Sequence, residues 1–355
     1  MALAAAVLFG LTTPLAKLLL GATSPGMLAA LLYLGSGLGL GVILWFRPAE
    51  APLSRRDWPW LAGAILCGGV LAPLSLMWGL TATPAGSASL LLNLEGVFTA
   101  LIAWFVFREN FDRRIMLGMA LIVAGGAALS WSGPGGDSPG GGSGLASLGI
   151  VAACLGWGLD NNLTQKVSAQ DPVQLASLKG LVAGGINLML ALAAGHGIPA
   201  APALAGALLL GFVGYGVSLA LFVLALRHIG TARTGAYFSV APFVGAAIAL
   251  PLLREPLRPG FALATVLMAA GVWLHLTERH EHEHYHPAME HCHRHSHDEH
   301  HQHEHPLCMD VREPHTHWHV HQPLTHAHAH YPDIHHRHAH GGAVERREET
   351  EAHSG

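Results

Sequence analysis

Charge is scarce in this sequence. Only 12% of the 355 residues are charged, whereas about 25% are charged in an average soluble domain. Hydrophobic residues make up 51% of the chain, and the mean hydropathy is +0.38. The apolar residues lie in runs of about 18 or more uncharged positions, the length that crosses a bilayer as a helix. The composition therefore disfavours a soluble globular protein and predicts an all-α integral membrane protein.

Other features are scarce or absent as well. The four cysteines, Cys67, Cys154, Cys292 and Cys308, form no paired framework, so we predict no disulfide. No nucleophile–base pair is recognisable, and the Gly-rich stretch in the middle of the chain lacks the flanking strand and helix of a phosphate-binding loop. Basic patches for nucleic acid are absent too. The sequence therefore disfavours an enzyme and a nucleic-acid-binding protein, and we expect no required cofactor.

The apolar runs predict ten transmembrane helices in two sets of five. A flexible Gly/Ser/Pro linker at residues 132–144 separates the first set, residues 1–131, from the second, residues 145–278. With five spans in each half, the second half enters the membrane in the opposite sense, which makes the repeats inverted, as in secondary transporters. The predicted spans are residues 1–20, 26–46, 58–80, 90–109, 115–131, 145–167, 173–194, 204–226, 235–253 and 261–277.

Loop charges predict the orientation, because positively charged loops stay in the cytoplasm. With the N-terminus inside, the last outer loop alone among the outer loops carries arginine, at Arg254 and Arg258. The N-terminus and the C-terminal tail, residues 279–355, are therefore predicted to be cytoplasmic. The cations of the inner loops are Arg47, Arg55, Arg56, Arg108, Arg113, Arg114, Lys166, Arg227 and Arg233.

One turn-plus-helix pattern occurs twice. The first copy is TATPAGSASLLLNLEGVFTALIAWFVFREN with GMALIVAGGAAL after it, and the second is RHIGTARTGAYFSVAPFVGAAIALPLLREPLRPG with LATVLMAAGVWL. The two halves resemble the EamA repeat of the drug/metabolite transporter superfamily, over about residues 1–278. The resemblance implies a ten-helix, inverted-repeat secondary transporter of the inner or plasma membrane, whose relatives mostly move small organic metabolites, often outward. The first copy has Glu95-Gly96 where such repeats commonly have proline, as at Pro242.

Glu95 is the first candidate for the transport pathway. A lone carboxylate near mid-membrane costs about 2.5–3.5 kcal/mol, and such groups usually face the bundle interior. Away from water, a carboxylate can be neutral in one state and charged in another, which suits proton coupling or cation binding. The structural alternative is a carboxylate neutralised by hydrogen bonds to a neighbouring helix.

Further polar residues lie in the sixth and seventh predicted spans. Asp160, Asn161 and Asn162 cover most of one helical turn, so some of them must face protein or water. Asp160 and Lys179 both lie ~10 Å from the same membrane surface, at 1.5 Å per residue, and we predict that they pair. The pair is either a gate or substrate site, or a structural bridge. Asn93 is a weaker candidate, because polar side chains often join membrane helices. Four aromatic residues either line a cavity or pack between helices: Trp78, Trp104, Trp157 and Tyr215.

The tail differs from the rest of the chain. All but three of the 27 histidines lie after residue 278. Alternating His-x-His cannot form one amphipathic helix, and apolar residues are too few for a core, so we predict disorder without metal. Imidazole and thiolate suit Zn, Ni, Co or Cu, in many interchangeable sites that empty as pH falls through about 6.5. The predicted ligands are His282, His284, His286, His291, Cys292, His293, His295, His297, His303, His305, Cys308, His315, His317, His319, His321, His326, His328 and His330.

Three functions stay open. The first is a secondary transporter, in the outward direction, for a small solute, with a cytoplasmic tail that binds metal and regulates transport. The second makes a transition metal ion or its chelate the substrate, with Glu95 and Asp160 as ligands. The third is a metal sensor or storage protein that the membrane part anchors. Expected partners are the lipid bilayer, a small-molecule substrate and transition metal ions but no nucleic acid; a homodimer is left open.

Overall fold

The computed structural model describes residues 1–47, 55–107, 113–130, 143–167, 171–222, 224–225 and 237–277, and four strands after residue 280. The α-helices are α1 (Ala2–Gly10), α2 (Thr12–Leu19), α3 (Pro25–Phe46), α4 (Trp58–Ala64), α5 (Ala72–Ala82), α6 (Ala85–Leu91), α7 (Leu94–Phe107), α8 (Arg113–Ser130), α9 (Ser143–Gln165), α10 (Pro172–Ala193), α11 (Ala201–Leu210), α12 (Ala241–Leu253) and α13 (Pro259–Leu276). Two π-helical turns interrupt them, the first at Ile65–Leu71 and the second at Gly211–Val217.

The helices before residue 278 form a membrane-protein bundle. In the described part, seven helical stretches are long and apolar enough to cross a membrane: Ala2–Leu19, Pro25–Phe46, Trp58–Ala82, Ala85–Val106, Pro172–Ala193, Ala201–Phe222 and Pro259–Leu276. The helix α12 is a shorter apolar helix of the same kind. The prediction of a multi-pass helical membrane protein is confirmed.

The packing of the first half recurs in the second. The helix α3 lies along α10, and α8 lies along α13. The first helical stretch of each half packs against the third and fourth stretches of the other half: α1 contacts the second π turn and α12, and α9 contacts α5, the first π turn and α7. The core of the bundle is therefore shared between the halves.

Paired glycines set how closely these helices approach. A Cβ atom on Gly180 of α10 would lie 2.6 Å from the main-chain nitrogen of Gly37 on α3. A Cβ atom on Gly271 of α13 would lie 2.6 Å from the carbonyl oxygen of Gly118 on α8. The backbones touch because both partners lack side chains, the usual device of membrane helix interfaces.

The substitution Gly180→Ala is expected to destabilise the bundle by about 1–3 kcal/mol, the usual cost of overpacking. The added methyl group meets the backbone of α3 rather than a flexible side chain, so the two helices must move apart. Gly185→Ala on the same helix is the matched control, because a Cβ atom there has nothing within 4 Å. Thermal unfolding in detergent measures the difference, and equal midpoints for the two variants contradict this contact.

The fourth helical stretch differs from its prediction. The sequence predicted one continuous helix over residues 90–109, but the structure begins the stretch at Ala85 and breaks it between α6 and α7. At the break, the Asn93 amide donates to the carbonyl of Leu90 at 2.9 Å, so a side chain competes there with the helical backbone bonds. The two π turns were not predicted either.

The described residues of the tail form four strands, β1 (Glu281–His286), β2 (Met289–His295), β3 (His315–His321) and β4 (Leu324–Ala329). The strand β1 pairs with β4 and β2 with β3, both antiparallel. The sequence did not predict these strands, and disorder of the tail without metal stays a prediction. Alternating His-x-His has the period of a strand, which places successive histidines on one strand face. The predicted ligands His297, His303, His305, Cys308 and His330 lie outside the described residues, as do residues 132–142 of the predicted linker and the inner-loop cations Arg108, Arg227 and Arg233.

Candidate functional site

The first π turn is the point where several helices converge. A π-helix is wound more widely than an α-helix, and carbonyl oxygens of this turn accept hydrogen bonds from side chains. The hydroxyl of Tyr33 donates to the Gly68 carbonyl at 2.6 Å, and the Trp157 indole donates to the same oxygen at 3.0 Å. The Asn187 amide donates to the Gly69 carbonyl at 2.9 Å. Side chains of α3, α9 and α10 thus meet on one short segment, and such π turns occur frequently at functional sites.

The predicted pairing of Asp160 with Lys179 is confirmed. The Lys179 Nζ atom lies 2.5 Å and 2.7 Å from the two carboxylate oxygens of Asp160. The Thr164 hydroxyl donates to the same carboxylate at 2.8 Å. A Cβ atom on Gly68 would lie 2.0 Å from Oδ2 of Asp160, so only glycine leaves room for this buried carboxylate against the π turn. The role of the pair in transport stays a prediction.

Glu95 lies in the first turn of α7, directly after the break. Its Oε1 atom accepts a hydrogen bond from the Asn161 amide at 2.9 Å. The same amide lies 3.2 Å from the Thr99 hydroxyl. The ion pairs of Asp160 with Lys179 and of Arg47 with Asp171 do not include Glu95. Within the described residues, Glu95 is therefore a carboxylate held by an amide, with no cationic side chain paired to it.

The other predicted polar residues bond to backbone atoms. The Asn162 amide donates to the carbonyls of Thr99 at 3.1 Å and Gly158 at 2.8 Å. It therefore ties α9 to α7 beside the break. Asn93 is buried, and its amide donates to the Leu90 carbonyl, which also accepts from the Asn93 main-chain nitrogen at 3.0 Å. Asn93 and Asn162 therefore position the backbone around the site, whereas Glu95 supplies an ionisable carboxylate.

Aromatic rings from both halves meet next to the π turns. The ring of Tyr215, in the second π turn, lies 5.7 Å from the ring of Tyr33 and 5.7 Å from that of Phe9, between centroids. The Phe9 ring lies 5.4 Å from that of Phe238. Sequence reasoning missed Tyr33, Phe9 and Phe238. A usable signal was the pair of glycine-rich strings CGG and GYG, which lie in the third stretch of each half.

Lys17 binds backbone at one end of the bundle. Its Nζ atom donates to the main-chain oxygens of Leu80, Thr81 and Thr83, the last two at 3.0 Å. These three oxygens lie at the end of α5, where four carbonyls of a helix lack intrahelical partners. The lysine of α2 therefore holds the loop that connects the third and fourth stretches.

Glu255 holds the other side of the same loop. Its carboxylate accepts hydrogen bonds from the main-chain nitrogens of Ala85 at 2.5 Å and Gly86 at 2.8 Å. Arg254 ends α12 in the left-handed conformation, with φ of 53°, and the Glu255 nitrogen then bonds back to the Leu250 carbonyl. This turn brings the carboxylate of the second half onto the first half. We refer to this side of the bundle as the Lys17 end.

The opposite side, the Arg47 end, joins the halves through a different pair. Arg47, directly after α3, lies 3.3 Å from the carboxylate of Asp171. Asp171 also caps α10, because its carboxylate accepts from the nitrogens of Val173 at 2.8 Å and Gln174 at 3.2 Å. Polar contacts between the halves therefore occur at both ends of the bundle, with Glu95 and the π turns between them.

A helical membrane bundle with broken helices and polar residues at its centre is the architecture of a membrane transporter. The profile of the EamA-like transporter family matches residues 1–131 and 144–277. The chain belongs to the EamA-like transporter family.

Curated relatives agree with this membership. An uncharacterized transporter of Methanothermobacter thermautotrophicus is 29% identical over 286 residues, which cover 76% of this chain and 83% of that protein. A probable 4-amino-4-deoxy-L-arabinose-phosphoundecaprenol flippase subunit ArnE of Pseudomonas aeruginosa is 46% identical over 78 residues, 22% of this chain and 65% of that protein. The corresponding subunit of Salmonella newport is 35% identical over 104 residues, 28% of this chain and 93% of that protein.

One solved structure shares the fold. It has a TM-score of 0.57 at 17% identity and covers 77% of this chain and 94% of its own. At this identity, the likeness concerns the fold alone.

Proposed function

We propose that this protein is a secondary active transporter that exports a small organic solute through ten spans, arranged as two inverted five-helix repeats. The seven apolar stretches, together with α8, α9 and α12, make up these spans. The recurrent packing of α3 on α10 and α8 on α13 supports the repeat, as do the two π turns in equivalent stretches.

The orientation follows from charge. The described cations of the Arg47 end are Arg47, Arg55, Arg56, Arg113, Arg114 and Lys166, against Lys17, Arg254 and Arg258 at the other end. Positive loops stay in the cytoplasm, so the Arg47 end faces inward. The N-terminus and the tail are then cytoplasmic, in the inner or plasma membrane. In this orientation the Lys17 end closes the outer side.

The environment of Glu95 carries the proposal. A carboxylate inside the bundle without a cationic side chain among the described residues needs a proton, water or a cationic solute group to compensate its charge. Such a group can exchange a proton for substrate as the site opens to either side. The ArnE relatives are named for a lipid-linked amino sugar, whose amine would pair with a carboxylate of this kind. We therefore favour a solute that carries an amine.

The second candidate substrate is a transition metal ion or its chelate. Among the residues whose side chains the structure describes, no three His, Cys, Asp or Glu residues converge on a site for a metal ion. This observation favours the organic solute. The tail then supplies regulation: metal bound there in the cytoplasm reports metal abundance to the transporter. A membrane-anchored sensor or storage protein is the third candidate, and a bundle of repeated spans is more than an anchor needs.

Removal of all residues after 278 is expected to leave a folded transporter whose export no longer responds to metal. The membrane domain packs its own core, so the tail is not needed for folding. Mass spectrometry of the medium compares amine-containing metabolites from cells with the full chain, the truncated chain and no protein, with and without added Zn²⁺. Loss of the folded bundle on truncation contradicts the domain boundary.

The total Zn, Ni, Co and Cu of the same cells distinguishes the two substrates. A tail-only control corrects for metal held by the tail. A metal content that changes with the full chain but not with Glu95→Gln, after this correction, makes the metal the substrate. If cells with the full chain and cells with Glu95→Gln contain equal amounts of metal but export different metabolites, the result supports the organic solute.

A further inference from the structure

Histidines are register partners of histidines in both strand pairs of the tail. The Cα partners in the β2–β3 pair include His291 with His319, His293 with His317, and His295 with His315. The partners in the β1–β4 pair include His282 with His328 and His284 with His326. We call each such pair of opposed histidines a rung.

The rungs of one strand pair share a face. Residues two apart along a strand lie on the same side of the sheet, and every rung of β2–β3 is two residues from the next. Directly opposed residues have Cβ atoms about 4.5–5.5 Å apart, and neighbouring rungs follow at about 6.6 Å, two residues of strand rise. Two neighbouring rungs therefore place four histidine positions together on one strand face, and four is the number of ligands in a tetrahedral Zn²⁺ site.

The other face of the same pair has a different composition. Cys292 is the register partner of Trp318, and Arg294 is the partner of Thr316. Cys292 is one residue from its neighbouring rungs, so it lies on the face opposite to the histidines. The thiol that sequence reasoning grouped with the histidines is thereby separated from them.

Strand pairing here needs a source of stability. An isolated two-stranded pair is marginally stable in water, and like charges directly opposite one another destabilise it when imidazoles are protonated. A metal ion held by both strands would supply the missing free energy, because metal binding and folding are coupled wherever the site exists only in the folded state.

We propose that β2 and β3 form a metal-clamped pair, in which two neighbouring His–His rungs hold one divalent transition metal ion and strand pairing accompanies binding. The chemistry suits Zn, Ni, Co or Cu(II), which imidazole ligands favour. The rungs of β1–β4 extend the same design. This inference rests on the proposed metal binding of the tail, and it replaces a string of interchangeable ligands with a small number of sites fixed by register.

A swap of two adjacent residues tests the register without changing composition. The double substitution Thr316→His with His317→Thr keeps every histidine but moves one of them to the other strand face. The swap Ala339→His with His340→Ala is the matched control, at positions that are neither predicted ligands nor part of the described strands. The experiment uses purified full-length protein with Co²⁺ as the probe, whose visible absorption reports tetrahedral nitrogen coordination, followed by competition with Zn²⁺.

We expect the swap in β3 to lower the number of tightly bound ions by about one, since it removes ligands from the β2–β3 site and leaves the β1–β4 rungs intact. The control swap should leave both affinity and stoichiometry unchanged. Equal numbers of tightly bound ions in the two swaps overturn the register inference, because interchangeable sites do not depend on the order of the residues. A full chain that binds no Co²⁺ or Zn²⁺ removes the metal role of the tail altogether, whereas solute export without added metal tests the transporter separately.

Discussion

Glu95→Gln is expected to abolish solute export and leave the protein folded in the membrane. Glutamine keeps the size of the side chain and can still bond to Asn161, but it can neither release a proton nor pair with an amine. We expect export to fall by about 100-fold, equivalent to about 3 kcal/mol in the barrier for transport. Initial rates of metabolite export measure this, with protein amount in the membrane as the reference.

Two further variants sharpen this prediction. Glu95→Asp keeps the charge on a shorter side chain and should retain part of the activity. Thr99→Val removes a hydroxyl that lies 3.2 Å from the same Asn161 amide, but it keeps the carboxylate. Its export should stay within about fivefold of the original, since a neutral hydrogen bond contributes only about 1 kcal/mol. Export by Glu95→Gln at the original rate would remove this residue from the mechanism.

Lys179→Met is expected to have the largest effect on stability. It leaves the buried carboxylate of Asp160 without its cation, and breaking one side of a buried ion pair costs about 3–5 kcal/mol. The Gly68 backbone lies against that carboxylate, so water has little room to replace the lysine. Thermal unfolding in detergent should show a clear drop in midpoint. A midpoint close to that of the original protein would show that the pair contributes little to the fold.

The double variant Asp160→Asn with Lys179→Gln separates the two roles of this pair. Neutral, hydrogen-bonding partners should restore most of the stability, because replacing both ions often costs little. Restored stability together with restored export identifies a structural bridge. Restored stability without export identifies a gate or substrate site.

The sequence was sufficient for the parts of the fold that composition controls. Long apolar runs located the helical stretches to within a few residues, as for Pro25–Phe46 against the predicted 26–46. The pairing of Asp160 with Lys179 was predictable because their depths follow from a fixed rise per residue, and a buried charge requires a partner. Both arguments use regular helix geometry and solvation alone.

The centre of the site was not predictable in this way. The break at Asn93 and the two π turns lie inside apolar stretches, where hydropathy is unchanged by the winding of the backbone. The bonds of Tyr33 and Trp157 to the Gly68 carbonyl join segments far apart in the chain. Their positions depend on how the helices pack against each other, which the period of one helix does not encode.

The tail shows a different limit. Its histidine alternation matched the period of a strand, but few apolar residues accompany it, so composition favoured disorder. Whether such a segment pairs depends on which residues oppose each other. The register of β2 with β3 depends on two segments at once, so the pattern within one segment could not predict it.

The contacts of Lys17 and Glu255 have a consequence for how this family diverges. Both side chains form hydrogen bonds to main-chain atoms of the loop around Thr83, not to its side chains. These hydrogen bonds therefore need no polar side chain in the loop, although Gly86 has little room for a Cβ atom, which would lie 2.9 Å from the Glu255 carboxylate. Relatives with a different loop sequence could therefore close this end of the bundle in the same way. A comparison that searches for pairs of oppositely charged side chains would not detect these contacts, because the partners are main-chain atoms.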